Sequence, residues 1–297
     1  MKTIHTELLE IAYEEGGSHS GPTAILLHGW PDAPRGWRSL AARLHAEGWH
    51  TVVPYLRGTG ATTFLRPDTP RVGAGVALAQ DVIDLADALE LRRFAILGHD
   101  WGARAAYTLA ALIPHRVSSI CALALAFQPQ GIFRIPSFEQ SRRFWYQWFL
   151  CTQGGLARVS SDPIGFARMH WETWSPQGWF EAAEFHETSK NFSNPDWIPI
   201  TANAYRSRWL EGEPWDPRYD SLIRKLHNIS VLSTPTLMIQ GASDSCDAAS
   251  ESEGLEPYFS GLYKRVVLDG IGHFPHREAP DLVATILLPH LNAFSRE

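Results

Sequence analysis

The stretch that decides the fold is Arg93-Phe94-Ala95-Ile96-Leu97-Gly98-His99-Asp100-Trp101-Gly102-Ala103-Arg104-Ala105-Ala106-Tyr107. Residues 93–98 form a short apolar run that reads as a buried strand, and 102–113 (GARAAYTLAALI) read as a helix. Gly98 and Gly102 flank the junction with one residue, Asp100, at its centre. A strand that turns this sharply into a helix leaves no room for a Cβ at the crossing, which explains the two glycines. The residue between them is lifted above the sheet edge, where a reactive side chain is useful.

Working outward, the same alternation of short apolar runs and helical patterns recurs on both sides. Residues 22–29 (PTAILLHG) read as a strand and 35–48 as an amphipathic helix with Trp37, Leu40, Leu44 and Ala46 near one face. A strand over 50–57, a helix over 75–90 and a strand over 118–127 complete the first half. After Phe127 the texture becomes helical or irregular and aromatic. Eight of the 12 tryptophans fall there, at 145, 148, 171, 174, 179, 197, 209 and 215. The strand–helix rhythm resumes at 235–241 and 264–269 and closes with a helix from about Pro280. This is the pattern of an α/β fold, a mostly parallel sheet flanked by helices. We expect residues 1–127 and 217–297 to form the core. Residues 128–216 are expected to form a helical lid inserted after the sixth core strand, over the carboxyl ends where open sheets bind ligands.

Composition excludes several classes of function. Lys plus Arg is 26 and Asp plus Glu is 32, a formal charge of −6, with the basic residues scattered. That is no footprint for nucleic acid or anionic lipid. The longest apolar run, Ile120–Phe127, is far short of the roughly 20 residues that span a bilayer. Three distant cysteines, Cys121, Cys151 and Cys246, offer neither a disulfide framework nor a zinc site. With no apolar leader in MKTIHTELLE, a cytoplasmic location is the expectation. A homodimer is compatible with all of this. Gly-rich stretches 58–63 and 73–78 lack the third glycine of a dinucleotide loop, and no metal motif occurs, so neither cofactor nor metal is expected.

Three further stretches carry candidate chemistry. His28-Gly29-Trp30-Pro31-Asp32 closes the first buried strand. Gly272-His273-Phe274-Pro275-His276 follows the last strand and offers His273 as base, with His276 as its rival. Asp244, after the strand PTLMIQG, is the acid that would orient the imidazole, with Asp247 as its rival. The resulting order, Asp100…Asp244…His273, is nucleophile, acid, base.

On these motifs the chain resembles the α/β-hydrolase superfamily and, within it, the epoxide hydrolases. HGWPD, RGTGAT at 57–62, GHDWGA at 98–103 and GHF at 272–274 stand in the expected order along the whole chain. HGxP and GHDWG are shared with haloalkane dehalogenases, so they specify an aspartate nucleophile better than a substrate. The resemblance implies an oxyanion hole from the backbone N–H groups of Trp30 and Trp101. It also implies two lid tyrosines on the epoxide oxygen: Tyr146, followed by Gln147 and Trp148, and Tyr205, followed by Arg206. Ser137 and Gln140 form a capping box that would start the first lid helix near residue 138. Gln147, Trp148, Trp101 and Phe274 are expected to line the pocket.

The implied activity is conversion of an apolar or aryl epoxide to a vicinal diol through a covalent ester on Asp100. A haloalkane or haloacid dehalogenase on the same scaffold is the alternative. Trp30 stands where many haloalkane dehalogenases carry Asn. Trp101 stands where fluoroacetate dehalogenases place Arg, although Arg104 matches a second arginine of that pattern. A non-catalytic small-molecule-binding homologue is the third reading.

Overall fold

In the computed structural model, which describes residues 1–295, the chain opens with a hairpin of β1 (Lys2–His5) and β2 (Leu9–Gly17). Then follow β3 (Thr23–Leu27), α1 (Arg38–Ala46), β4 (His50–Pro54), the two-residue β5 (Thr63–Phe64) and α2 (Gly75–Ala88). Next come β6 (Phe94–His99), α3 (Trp101–Leu112) and β7 (Val117–Leu123). Helices α4 (Phe138–Arg143), α5 (Trp145–Cys151), α6 (Gln153–Ser161), α7 (Pro163–Trp174), α8 (Ala182–Ser189), α9 (Trp197–Arg206) and α10 (Asp220–Leu226) follow. The chain closes with β8 (Thr236–Gly241), β9 (Tyr263–Leu268), α11 (Pro275–Glu278) and α12 (Pro280–Phe294).

The sheet runs β1-β2-β4-β3-β6-β7-β8-β9, with β5 paired to β2. Every pairing from β4 to β9 is parallel, while β2 pairs antiparallel with β1, β4 and β5. Parallel strands are buried on both faces and their side chains alternate between them. Ala24, Leu26, Ala95 and Leu97 therefore pack with Leu40 and Leu44 of α1 and Leu287 and Leu291 of α12. Ile25, Leu27 and Ile96 face the other way, onto Val82 and Leu85 of α2 and Leu109 of α3.

Three strands end earlier than the apolar runs suggest, at Leu27, Pro54 and Leu123. At Ala124 the backbone turns to φ 58°, which breaks the extended conformation although the residue stays buried. The helix expected from residue 35 begins as a 3-10 turn at Pro34–Trp37 before becoming α1. Seven strands precede the helical insertion, one of them the two-residue β5. Helix α10 packs on α3 of the core. No helix of the described residues is long and apolar enough to cross a membrane.

The elbow shows why both its glycines are required. A Cβ on Gly98 would lie 2.3 Å from the Gly102 carbonyl oxygen, and one on Gly102 would lie 2.1 Å from that of Leu27. Between them Asp100 adopts φ 50° and ψ −111°, outside the ordinary regions for a side-chain-bearing residue. Such a conformation costs of order 1–3 kcal/mol and is held by its surroundings.

Candidate active site

Three loops at the carboxyl ends of β3, β6 and the β8–β9 pair converge on Asp100. From the β3 loop, the Trp30 backbone N–H donates to Asp100 Oδ1 at 2.8 Å. Burial pushes the Asp100 carboxyl up, opposed by the nearby His273 and by the Trp30 and Trp101 amides; the net displacement is upward. Two main-chain donors thus point at one carboxylate, the arrangement that stabilises an oxyanion on that carbon.

The loop after β9 brings His273 Nε2 to 4.0 Å from Asp100 Oδ2, with no hydrogen-bond partner on that nitrogen. Its Nδ1 lies 2.9 Å from Asp244 Oδ2. The loop after β8 holds Asp244 firmly, because Oδ1 accepts the backbone N–H groups of Cys246 and Asp247 at 2.8 and 2.9 Å. Gln240 Nε2 adds a bond to Oδ2 at 3.0 Å. Burial disfavours the imidazolium, yet Asp244 and then Asp100 outweigh it and His273 is raised to about 9.

The two rivals lie elsewhere. Asp247 donates its backbone N–H to Asp244 Oδ1, its carboxylate makes no hydrogen bond to His273 among the described residues, and burial beside the Asp244 charge pushes it up to about 8. His276 bonds Asp32 Oδ2 at 3.2 Å and packs on Trp37, and burial lowers its pKa. Asp32, last of HGWPD, also accepts two nitrogens of Arg277, the closest at 2.6 Å. Arg277 reaches on to Glu184 of α8 at 2.8 Å. This buried network ties the β3 loop, the His273 loop and the helical insertion together. The sequence reading overlooked it, although an Asp after a buried strand and an Arg next to His276 are visible signals.

Above Asp100 the insertion closes an aromatic box. The Tyr146 and Tyr205 rings are 5.1 Å apart and perpendicular, both buried, and both stack or edge onto Trp30. Each phenol oxygen accepts an N–H: Tyr205 from Trp101 Nε1 at 3.1 Å, Tyr146 from Gln147 Nε2 at 3.3 Å. Burial raises both phenols, and the Asp100 charge adds to it. His170 of α7 completes the box. Its Nδ1 is bonded to the Phe166 carbonyl, and burial lowers its pKa to about 3. It escaped the sequence reading because a lone histidine in an aromatic helix carries no distinguishing pattern.

The remaining expected pocket residues divide. Trp101 faces Tyr205. Gln147 is buried and acts on the Tyr146 hydroxyl, with Arg208 and Trp209 donating to its oxygen. Phe274 is wholly buried against Trp171, Trp174 and Trp179, supporting the His273 loop from behind. Trp148 departs from the expectation. It lies on the outer side of α5, 38% exposed, against Trp209. The helical phase explains this, since Tyr146 and Gln147 take the inward face of the short α5.

Ser137 caps α4 as expected, accepting from the Gln140 N–H at 3.1 Å. The Gln140 side chain does not fold back onto the cap. It donates to the Cys246 carbonyl at 2.8 Å and accepts from Ala248, so it bridges the insertion to the Asp244 loop.

Sheet, elbow and converging loops define a class, the α/β-hydrolases. The alpha/beta hydrolase fold family model matches residues 22–280. Among similar proteins, Epoxide hydrolase 1 of Siraitia grosvenorii is 30% identical, the alignment covering 98% of each chain. Epoxide hydrolase A of Mycobacterium tuberculosis is 24% identical over 98% of this chain and 96% of its own. A crystal structure of an epoxide-hydrolase candidate from Klebsiella pneumoniae superposes with a TM-score of 0.89 at 33% identity, covering 97% and 96% of the two chains. The chain belongs to the epoxide hydrolase family of the alpha/beta hydrolase fold.

Proposed function

We propose that the protein hydrolyses an apolar or aryl epoxide to a vicinal diol through an ester on Asp100, beneath a lid formed by residues 128–216. The observation that carries this reading is the state of the two phenols. Each oxygen already accepts an N–H, which leaves its O–H to donate elsewhere; Tyr205 has no other protein partner among the described residues, and Tyr146 has only the long 3.8 Å contact with Cys246 Sγ, which a substrate oxygen would replace.

An Asp100 oxygen attacks one epoxide carbon, and the C–O bond to that carbon breaks. The departing oxygen takes a proton from Tyr146 or Tyr205, with the second phenol hydrogen-bonded to it. This step yields a hydroxyalkyl ester and removes the Asp100 charge. That charge helps hold His273 at about 9, so its loss lowers the imidazole's proton affinity. The imidazolium returns its proton to the tyrosinate by way of solvent and becomes a base.

His273, oriented by Asp244, then takes a proton from water as the hydroxide adds to the Asp100 carbonyl carbon. The Trp30 and Trp101 amides stabilise the resulting oxyanion. Collapse expels the diol oxygen, which takes the proton from His273. The new carboxylic acid ionises back onto the imidazole. Epoxide plus water gives diol, and Asp100 has exchanged one oxygen for that of water.

That exchange supplies the test. With enzyme in excess over styrene oxide in ¹⁸O-water, one turnover places the label in the Asp100 peptide and none in the diol. Label in the diol after a single turnover means that water attacked the epoxide directly. Dehalogenation, in which a departing halide needs N–H donors beside the nucleophile, finds less support: the Trp101 indole N–H is committed to Tyr205.

A further inference from the structure

One nitrogen in the aromatic box has nothing to accept. His170 is buried on the inward face of α7, and its ring meets those of Trp30, Tyr146 and Trp174 edge to face, with centroids at 5.1, 4.9 and 4.4 Å. Its Nδ1 lies 2.7 Å from the Phe166 carbonyl oxygen, one helical turn back. A carbonyl only accepts, so Nδ1 carries the ring proton and Nε2, at the tip of the side chain, presents a lone pair. No N–H or O–H of the described residues reaches that lone pair.

Protonation does not resolve the mismatch. Burial lowers the His170 pKa to about 3 and His273 adds to the effect, so the ring is neutral near pH 7. A buried acceptor without a partner is costly, and the ester mechanism gives this one no task. Packing alone does not ask for it either, since phenylalanine would fill an aromatic box without burying a lone pair. His170 shares the box with Tyr146, so the missing partner belongs to the molecule that the phenols hold.

The chemistry of that partner is narrow. It must donate, which excludes a carboxylate, an ether or a carbonyl. It must also be neutral, because an ammonium would lie near the His273 imidazolium, itself raised to about 9, among apolar rings. A hydroxyl is the smallest neutral group that donates. The Tyr146 and His170 rings are in direct contact, so the hydroxyl sits close to the epoxide oxygen along the substrate.

We propose that His170 Nε2 accepts a hydrogen bond from a substrate hydroxyl on the carbon next to the epoxide, which makes the preferred substrate an apolar or aryl epoxy alcohol. The assignment to a substrate rests on the epoxide hydrolase reading; recognition of a hydroxyl by His170 does not.

Recognition is tested first without chemistry, by calorimetric titration of the full-length protein with cinnamyl alcohol and with its methyl ether, which cannot donate. The wild type binds the alcohol at least about fivefold more tightly than the ether, and in His170→Phe that preference disappears. His170→Gln, which keeps an acceptor, recovers part of it. Equal affinity for alcohol and ether in the wild type, or a preference unchanged in His170→Phe, overturns the proposal. If His170→Phe fails to fold, His170→Leu takes its place with the same expected loss.

The second comparison uses trans-phenylglycidol and trans-β-methylstyrene oxide, which differ by a hydroxyl in place of a hydrogen. The ratio of their kcat/KM values, alcohol over hydrocarbon, falls about fivefold or more from wild type to His170→Phe. An unchanged ratio refutes the substrate assignment. If His170 only packed the box, both substrates would lose rate together and the ratio would stay. Turnover of neither compound, with His170-dependent binding of the alcohol intact, removes the epoxide reading and leaves the hydroxyl site standing.

Discussion

The Asp244 carboxylate meets His273 Nδ1 at 2.9 Å, whereas Asp247, three residues later, contributes only its backbone N–H to Asp244. The two acids are therefore unequal in what they do for the imidazole. Asp244→Asn replaces the oxygen that fixes the tautomer, so hydrolysis of the ester slows by roughly 10²–10⁴-fold. Asp247→Asn keeps the amide that Asp244 needs and slows the same step by about tenfold at most. Rates of ester decay in single-turnover experiments rank the two. The opposite ranking assigns the role to Asp247.

Tyr146 and Tyr205 share one task from perpendicular directions, so neither alone is indispensable. Tyr146→Phe or Tyr205→Phe each lowers the rate of epoxide opening by about 10–100-fold, and the double substitution by roughly 10⁴-fold. The readout is ester formation under single-turnover conditions. Near-wild-type opening in the double variant contradicts the role given to the lid tyrosines.

The Asp32–Arg277 pair is buried and carries two further partners, His276 and Glu184. Although burial works against the charged form, Arg277 holds the Asp32 carboxyl well below the ordinary range. Removing Arg277 leaves the Asp32 carboxylate in the interior without its cation, with the His276 ring and the Ala33 amide as its remaining partners. Arg277→Met is expected to cost about 3–5 kcal/mol of unfolding free energy, measured by urea denaturation. A loss under 1 kcal/mol would mean that the network does not tie the loops as described.

His273 also makes stability depend on pH. Its pKa in the folded protein, about 9, lies above the ordinary 6.5, so folding favours the protonated form. That contribution is complete below pH 6.5 and disappears as pH rises through 9. The stability advantage of wild type over His273→Gln therefore shrinks between those two values, as followed by thermal unfolding across the range. A constant difference, or one that grows with pH, has the wrong sign for a raised imidazole.

The elbow was legible in the sequence because its demands are local: two positions where carbonyl oxygens exclude any Cβ, and one residue held in a strained turn. The Asp244–His273 pair was legible through chain order alone. The N-terminal hairpin was not read, although Leu9, Ile11 and Tyr13 alternate along β2 and are buried. Trp148 was misplaced because α4 ends at Arg143 and α5 restarts at Trp145, which resets the helical phase. The bridge from Gln140 to Cys246 and Ala248 and the Arg277 network depend on residues far apart in the chain. No spacing rule reaches them.

The central claim is that Asp100 becomes an ester whose release needs His273. Intact-mass analysis of His273→Gln after incubation with styrene oxide tests it most directly. The account predicts a mass gain equal to one epoxide, confined to the peptide that contains Asp100 and absent from Asp100→Asn in the His273→Gln background. Continued diol release with no adduct, or an adduct on another residue, would contradict it.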